Sequence, residues 1–572
     1  MVPRMRFERP ALAGGGAAWG ALLWLSSGAS AQSLLHQVPG LAAGELFGTA
    51  VALTGDLDGD GRSDFAATTV TGAQNRGAVR VYSGFDARLL WEVQGTTAGQ
   101  RFGASLARIG DVDGDGRPDL LVGAWLASFP GALQTGLARV LSGASGATIR
   151  EHRGDSAQDH FGWTVAGLGD VDGDGVDDYA VAAIDDDDNG GSAGSVRVYS
   201  GASGAALYTL RGSAGEQILG SAIARVPDAD GDGRADVAVG APSFAGNLQP
   251  GYARLHSGAT GALLWTASGS ANMDQFGGAL AGLGDLDGDG RGEVAVGARQ
   301  LAAGAAGYVR ILSGADGSVL REIAGNGAGS RFGTALAGAG DVDYDGRDDL
   351  WIGVPEASGV ASRAGRIQCH SGASGEILAT FDGPVVNARL GTVLVGGLDV
   401  SGEGGPDAMS GATGDAQAGP NSGSARVFRP SDALPPPPPD PHDSLEADRL
   451  VVSWATREAQ SLELRAPEEL GGRRFLFLGS GSGTAPGFSA FGVHVPLNPD
   501  RYMRAGLICP GISALEPVSG RLDQDARAAA TFQLERRHRS WIGKTFHHAY
   551  VVLDQRCRPV FSSVAVPVTI AP

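Results

Sequence analysis

The stretch Gly55 to Phe65, "GDLDGDGRSDF", sets carboxylates at Asp56, Asp58, Asp60 and Asp64 with Gly59 and Gly61 between them. Calcium is a hard cation that takes six to eight oxygen ligands, and a short loop can offer them only if alternate side chains turn inward. Asp56, Asp58 and Asp60 then occupy positions one, three and five, Arg62 offers its carbonyl at seven, and Asp64 closes the site at nine. Glycine at Gly59 and Gly61 permits the backbone angles of such a curl. An EF-hand would need a glutamate at position twelve and helical flanks. Position twelve is Ala67, and the flanks "AVALT" and "DFAATTV" favour strands.

The loop recurs. A second copy carries Asp111, Asp113, Asp115, Arg117 and Asp119, and a third carries Asp170, Asp172, Asp174, Val176 and Asp178. A fourth has Asp228, Asp230, Asp232, Arg234 and Asp236, and a fifth has Asp285, Asp287, Asp289, Arg291 and Glu293, where a longer carboxylate closes the set. The sixth holds Asp341, Asp343, Asp345, Arg347 and Asp349, with Tyr344 in place of a turn glycine. A seventh, from Asp399, has Ser401 and Glu403 at positions three and five and is not expected to hold metal. Asp-Gly pairs also make ordinary tight turns. Six loops with four carboxylates each in register would, however, repel themselves without a cation. Six calcium ions would move the formal charge from -19 to -7, and their expected role is structural.

First positions are spaced 55, 59, 58, 57, 56 and 58 residues apart, a period that signals a repeat architecture. "FG" or "LG" precedes each loop, at Phe47, Phe102, Phe161, Leu219, Phe276, Phe332 and Leu390. Alternating runs such as "AVRVYSG" and "LLWEVQG" follow, bounded by glycine, and such alternation marks half-buried strands. Four strands per unit, repeated radially, make a β-propeller, and the copies number seven. A fourth-strand pattern, "LLHQVPG" from Leu34, stands before the first loop, while the last unit runs into "PPPPPDP" without one. The N-terminal strand is therefore predicted to complete the last blade and hide two sheet edges.

The combination of "FG", "GAP"-like segments ("VGAW", "VGAP", "VGAR", "IGVP") and the aspartate loop resembles FG-GAP repeats, the blades of the integrin α-chain head. The resemblance covers roughly Ser33 to Asp432. It implies a calcium site in the turn between the first and second strands of a blade, on one face of the propeller, and a role in adhesion.

The fold class expected is all-β: a seven-bladed β-propeller followed by a smaller β-sandwich-like domain. The expected boundaries are a signal peptide over 1–31, the propeller over 32–432, a Pro-rich linker over 433–442 and the C-terminal domain over 443–572. Arg4, Arg6 and Arg9, an apolar run and "ASA" before Gln32 read as an export signal, so the chain is expected to be secreted or at the cell surface. The net charge argues against nucleic acid, whose phosphates need concentrated Lys and Arg, and no later stretch has the apolar length of a membrane span. Of three cysteines, Cys369, Cys509 and Cys557, the last two either pair or remain buried thiols.

"RGD" at Arg153 to Asp155 falls where other units leave their fourth strand, and is expected to be a turn variant. "DDDDN", Asp185 to Asn189, is expected to be a solvated loop. "RRHRSWIGKTFHH", Arg536 to His548, is the basic patch, with Trp541 and Phe546. No HExxH, nucleophile elbow, phosphate-binding glycine loop or Cys-His cluster occurs. The expected function is a non-enzymatic binding scaffold for an extracellular protein or glycan. The alternative, a carbohydrate- or lipid-active enzyme, needs an acid/base pair or a histidine at the central channel, with His152, His160, His256 and His370 as the propeller's candidates.

Overall fold

The computed structural model describes residues 33–430 apart from 214–217, 244–248, 302–303 and 403–404; beyond residue 430 it describes only the backbone of strand segments. Over 33–430 the strands form seven four-stranded antiparallel sheets, the blades of a propeller. Blade 1 runs Val51–Gly55, Asp64–Thr69, Ala78–Tyr82 and Leu89–Gln94, each strand paired with the next. Blades 2 to 6 repeat that order, opening at Ser105, Phe161, Ala222, Phe276 and Leu336.

Composition explains the layering within a blade. The second strands are buried along their whole length, as in Asp178–Ala183 and Asp349–Val354, so they carry Ala, Val, Ile and Trp on both faces instead of an alternating pattern. The fourth strands lie outermost and alternate, Leu89–Gln94 among them. Small first strands converge on the axis, where a channel of about 400 Å³ is lined by Val51 to Leu53, Leu106 to Arg108, Val165 to Gly167, Ile223 to Arg225 and Val395 to Leu398.

The "FG" pairs fasten one blade to the next. Phe47, Phe102, Phe161 and Phe276 are fully buried, and Phe102 sits among Val79 and Val81 of blade 1 and Leu120 and Val122 of blade 2. Burying one such ring contributes about 1.5–3 kcal/mol. The following glycine is needed for space as well as conformation: Gly48 has a φ of 85°, and a Cβ there would lie 2.5 Å from the Ser424 carbonyl oxygen.

Blade 7 is built from both ends of the ring. Ser33–Pro39 pairs antiparallel with Ser424–Arg429, which continues to Asp407–Gly411 and Leu394–Leu398. The expected closure is observed, with Gln37 opposite Arg426 and Pro39 opposite Ser424. His36 anchors the strand from the side: its ring stacks on Phe65 at 5.7 Å and its Nε2 lies 2.7 Å from the Gly84 carbonyl of blade 1. Beside this strand, Arg426 and Asp415 form a buried ion pair at 2.8 Å.

After residue 430 the described strands include Ala459–Arg465 paired with Arg527–Gln533, and Arg474–Ser480 paired with Thr545–Leu553. The expected sandwich concerns how such sheets face each other, which lies outside the described residues. So do the signal peptide, the linker, Cys509, Cys557 and most of the basic patch. Cys369 is a buried free thiol. No helix among the described residues is long and apolar enough to cross a membrane.

Candidate metal loops

Each aspartate loop is the turn between the first and second strands of its blade, as Asp56 to Ser63 is between Val51–Gly55 and Asp64–Thr69. Its shape follows from side chains bonding their own backbone. Asp56 accepts hydrogen bonds from Gly59 and Asp60 N–H on Oδ1 and from Gly61 N–H on Oδ2. Asp58 accepts from Asp60 N–H, and Asp60 from Arg62 N–H. Asp111, Asp170 and Asp228 repeat the first pattern. Asp285 and Asp341 keep it with one bond fewer each.

The closing carboxylate is the buried end of the loop. Asp64 accepts Leu57 N–H on Oδ2 and Gly84 N–H on Oδ1, both at 2.8 Å. Asp119, Asp178, Asp236 and Asp349 do the same with Gly143, Gly201, Gly258 and Gly372. These glycines end the "YSG", "LSG" and "HSG" runs, and in the sequence they read as strand boundaries. They are partners of the closing carboxylate, and the signal was their recurrence at a constant distance after it. Only glycine fits: a Cβ on Gly143 would lie 1.9 Å from the Pro118 carbonyl oxygen.

The carboxylates converge. Side-chain oxygens of Asp56, Asp58 and Asp64 lie within 4.8 Å of one another, as do those of Asp170, Asp172 and Asp178, and of Asp228, Asp230 and Asp236. In the second loop the gathered set is Asp111, Asp113 and Asp115, and in the fifth it is Asp285, Asp287, Asp289 and Glu293. Burial pushes Asp64, Asp119, Asp178 and Asp236 up to about 6, with backbone N–H groups opposing and neighbouring aspartates adding to the rise. Glu293 and Asp349 reach about 7 by the same cause. A carboxylate has about four lone-pair sites, so these backbone bonds leave acceptor capacity for an ion. The donor set is all oxygen and fits a hard dication.

The irregular loops are instructive. Tyr344 adopts a φ of 60°, so the sixth loop keeps its curl with a non-glycine residue in the left-handed region. In the first loop Arg88 reaches Asp58 at 3.0 Å and supplies some positive charge. The fifth and seventh loops differ at their buried ends: Glu293 accepts Leu286 N–H on Oε2, but its Oε1 has no partner. Asp407 accepts Val400 and Ser401 N–H on Oδ2, but its Oδ1 has no partner. The residue standing where other blades have the donating glycine is Pro430, which has no N–H.

Two position-seven arginines also tie adjacent loops. Arg234 Nη1 donates to the Val171 carbonyl at 2.9 Å, and Arg291 Nη1 to the Ala229 carbonyl at 2.8 Å. Among the described residues the side chains of Arg117, Arg347 and Val176 make no such bond, and each, like Arg62, enters the loop pattern through its backbone.

The tempting features are absorbed by structure. Arg153 pairs with Glu151 and stacks on Phe129 at 4.2 Å, while Asp155 pairs with Arg197. In the acidic run, Asp185 bonds His160, Asp186 accepts from Ser195 and Asp188 pairs with Arg211. His152 faces Tyr179, and His256 and His370 face the backbone carbonyls of Gly261 and Gly375. None of the four histidines lines the channel.

Family models for an "FG-GAP-like repeat" and an "FG-GAP repeat" match residues 56–122 and 219–253. The chain is 34% identical over 165 residues to integrin alpha-4 of Xenopus laevis, covering 27% of this chain and 15% of that protein. It is 32% identical over 211 residues to integrin alpha-PS2 of Drosophila melanogaster (33% and 15%), and 34% identical over 176 residues to integrin alpha-IIb of Homo sapiens (27% and 16%). The match thus spans under a fifth of the length of these relatives. Repeat pattern, seven-bladed ring and similarity agree: the chain carries an integrin-like FG-GAP β-propeller.

Proposed function

We propose that the chain is an exported, calcium-stabilised propeller acting as a non-enzymatic binding or adhesion scaffold, with a sandwich-like C-terminal domain. The observation that carries the metal assignment is the convergence of side-chain oxygens in successive loops of one design. In each of the six loops the ligands are the side chains at positions one, three, five and nine and the carbonyl at seven. Bound calcium would supply charge neutralisation. The chain's own residues do the positioning, through the backbone bonds that shape each curl and, in five of the six loops, through the glycine that seats the closing carboxylate.

At ten times its dissociation constant each site adds roughly 1.4 kcal/mol, so six add roughly 8 kcal/mol, comparable to a domain's whole stability. Similarity to proteins named integrins supports the scaffold role, and rigid blades presenting loops are a suitable binding surface. The test is capture of the immobilised full chain on panels of extracellular glycans and matrix proteins, with calcium and with chelator. Saturable capture lost on chelation supports the scaffold. Turnover of any panel member, retained by several independent preparations, would overturn the non-enzymatic assignment.

A further inference from the structure

The central channel carries two charges that the calcium loops do not use. Arg108 and Arg225 both line it, among Val, Ala, Leu, Ile and Gly. They occupy one repeat position, three residues before the first aspartate of their loops, on the innermost strands of blades 2 and 4. The other five copies have Leu53, Gly167, Gly282, Gly338 and Gly396 there. Neighbouring glycines make room for the arginine strands: a Cβ on Gly167 would lie 2.4 Å from the Arg108 carbonyl oxygen, and one on Gly282 would lie 2.0 Å from that of Arg225.

Arginines on the third strands of the blades are paired, as Arg80, Arg139, Arg310 and Arg366 are. Neither channel guanidinium has an ion pair or side-chain hydrogen bond among the described residues. Burial lowers Arg108 from its ordinary value and the charge of Asp177 opposes that; its side chain rests beside Gly55, and that of Arg225 beside Gly169. Two like charges in one space of about 400 Å³ favour an anion, and a guanidinium's planar fork matches a carboxylate in two-point contact.

We propose that the channel binds a carboxylate on a short aliphatic body, its acid group held by Arg108 and Arg225 and its body against the Val, Leu and Ile walls. An aliphatic acid matches the two guanidinium groups and the Val, Leu and Ile side chains of the lining together. The chemistry is shared by a free organic acid and by an acidic side chain offered by a partner protein. The proposal uses residues outside the metal loops, so it stands or falls apart from the calcium assignment.

The test is calorimetric titration of the full chain at fixed free calcium with adipate, with its dimethyl ester, and with a glutamate tripeptide capped at both ends. Saturable binding of adipate but not of the ester is expected, weakened about tenfold by Arg108→Gln or Arg225→Gln, with Arg108→Lys falling between. Tighter binding of the peptide than of adipate would assign the source to a protein side chain, and the reverse to a free acid. Melting temperatures within the wild-type range certify that the variants fold. No saturable binding of either acid into the tens of millimolar, or binding indifferent to both Gln substitutions in folded protein, overturns the proposal.

Discussion

Replacing Arg426 by alanine tests how the ring is closed. Arg426 lies on the strand that pairs with the N-terminal Ser33–Pro39, opposite Gln37 on one side and Ser410 on the other. Its Nη2 donates to Asp415 Oδ2 at 2.8 Å and its Nε to Ser424 Oγ at 3.2 Å; Ser424 Oγ in turn donates to the same Asp415 oxygen. The side chains are 6% and 1% exposed, so alanine leaves a carboxylate buried without its cation. Removing one partner of such a pair costs about 3–5 kcal/mol. With about 2.1 cal/mol/K per residue over about 400 residues, roughly 4 kcal/mol lowers the melting temperature by about 5 °C. The assay is calorimetry at saturating calcium on wild type, Arg426→Ala, Asp415→Ala and the double variant. The double variant is expected to lose less than the sum of the singles, by about 1–3 kcal/mol. An Arg426→Ala melt within about 1 °C of wild type, with additive singles, would refute the reasoning.

Three further outcomes follow from the same geometry. Asp178→Ala removes the acceptor of buried Val171 and Gly201 N–H groups and should lower stability by about 2–5 kcal/mol even in chelator; Asp170→Ala, whose bonded N–H groups are exposed, should cost under about 1 kcal/mol in chelator and more in calcium. Trp351 is fully buried against Phe381 and Leu394, so Trp351→Ala should cost about 3–5 kcal/mol, but Trp351→Phe far less, because the indole N–H has no partner; chemical denaturation of both distinguishes packing from polarity. Burial lowers His152 from 6.5 to about 4, so the unfolded chain binds the extra proton between those values. That stability is present above pH 6.5 and lost as pH falls toward 4; wild type should lose about 1–2 kcal/mol relative to His152→Phe between pH 7 and pH 5, read as a difference between paired melts.

Repetition made the ring legible. "FG" recurs because an aromatic ring must plug the gap between blades and a glycine must take the left-handed turn after it, so the places of Phe47, Phe102, Phe161 and Phe276 are legible in the sequence. Strand alternation gave the outer strands, and the unpaired "LLHQVPG" gave the closure. The loop donors were legible by spacing. What was hidden is the support at the buried end: Gly84 and its counterparts read as punctuation because their N–H groups act across the blade, on a carboxylate about twenty residues earlier. Pro430 was equally silent, since losing a donor matters only once the fold brings that position against Asp407. Tyr344 looked like a defect, yet its backbone reaches the required angle. Arg108 and Arg225 carry no motif; their shared repeat position is legible by spacing, but that both line one channel emerges only when the first strands are set around one axis.

The most direct test of the central claim is the number of calcium ions held per folded chain, measured by equilibrium dialysis with elemental analysis and paired with calorimetry. About six ions are predicted, five for Asp170→Ala, with a melting temperature that rises with calcium and falls on complete chelation. A folded chain that holds no calcium, or one whose melting temperature is the same with and without the metal, would contradict the account.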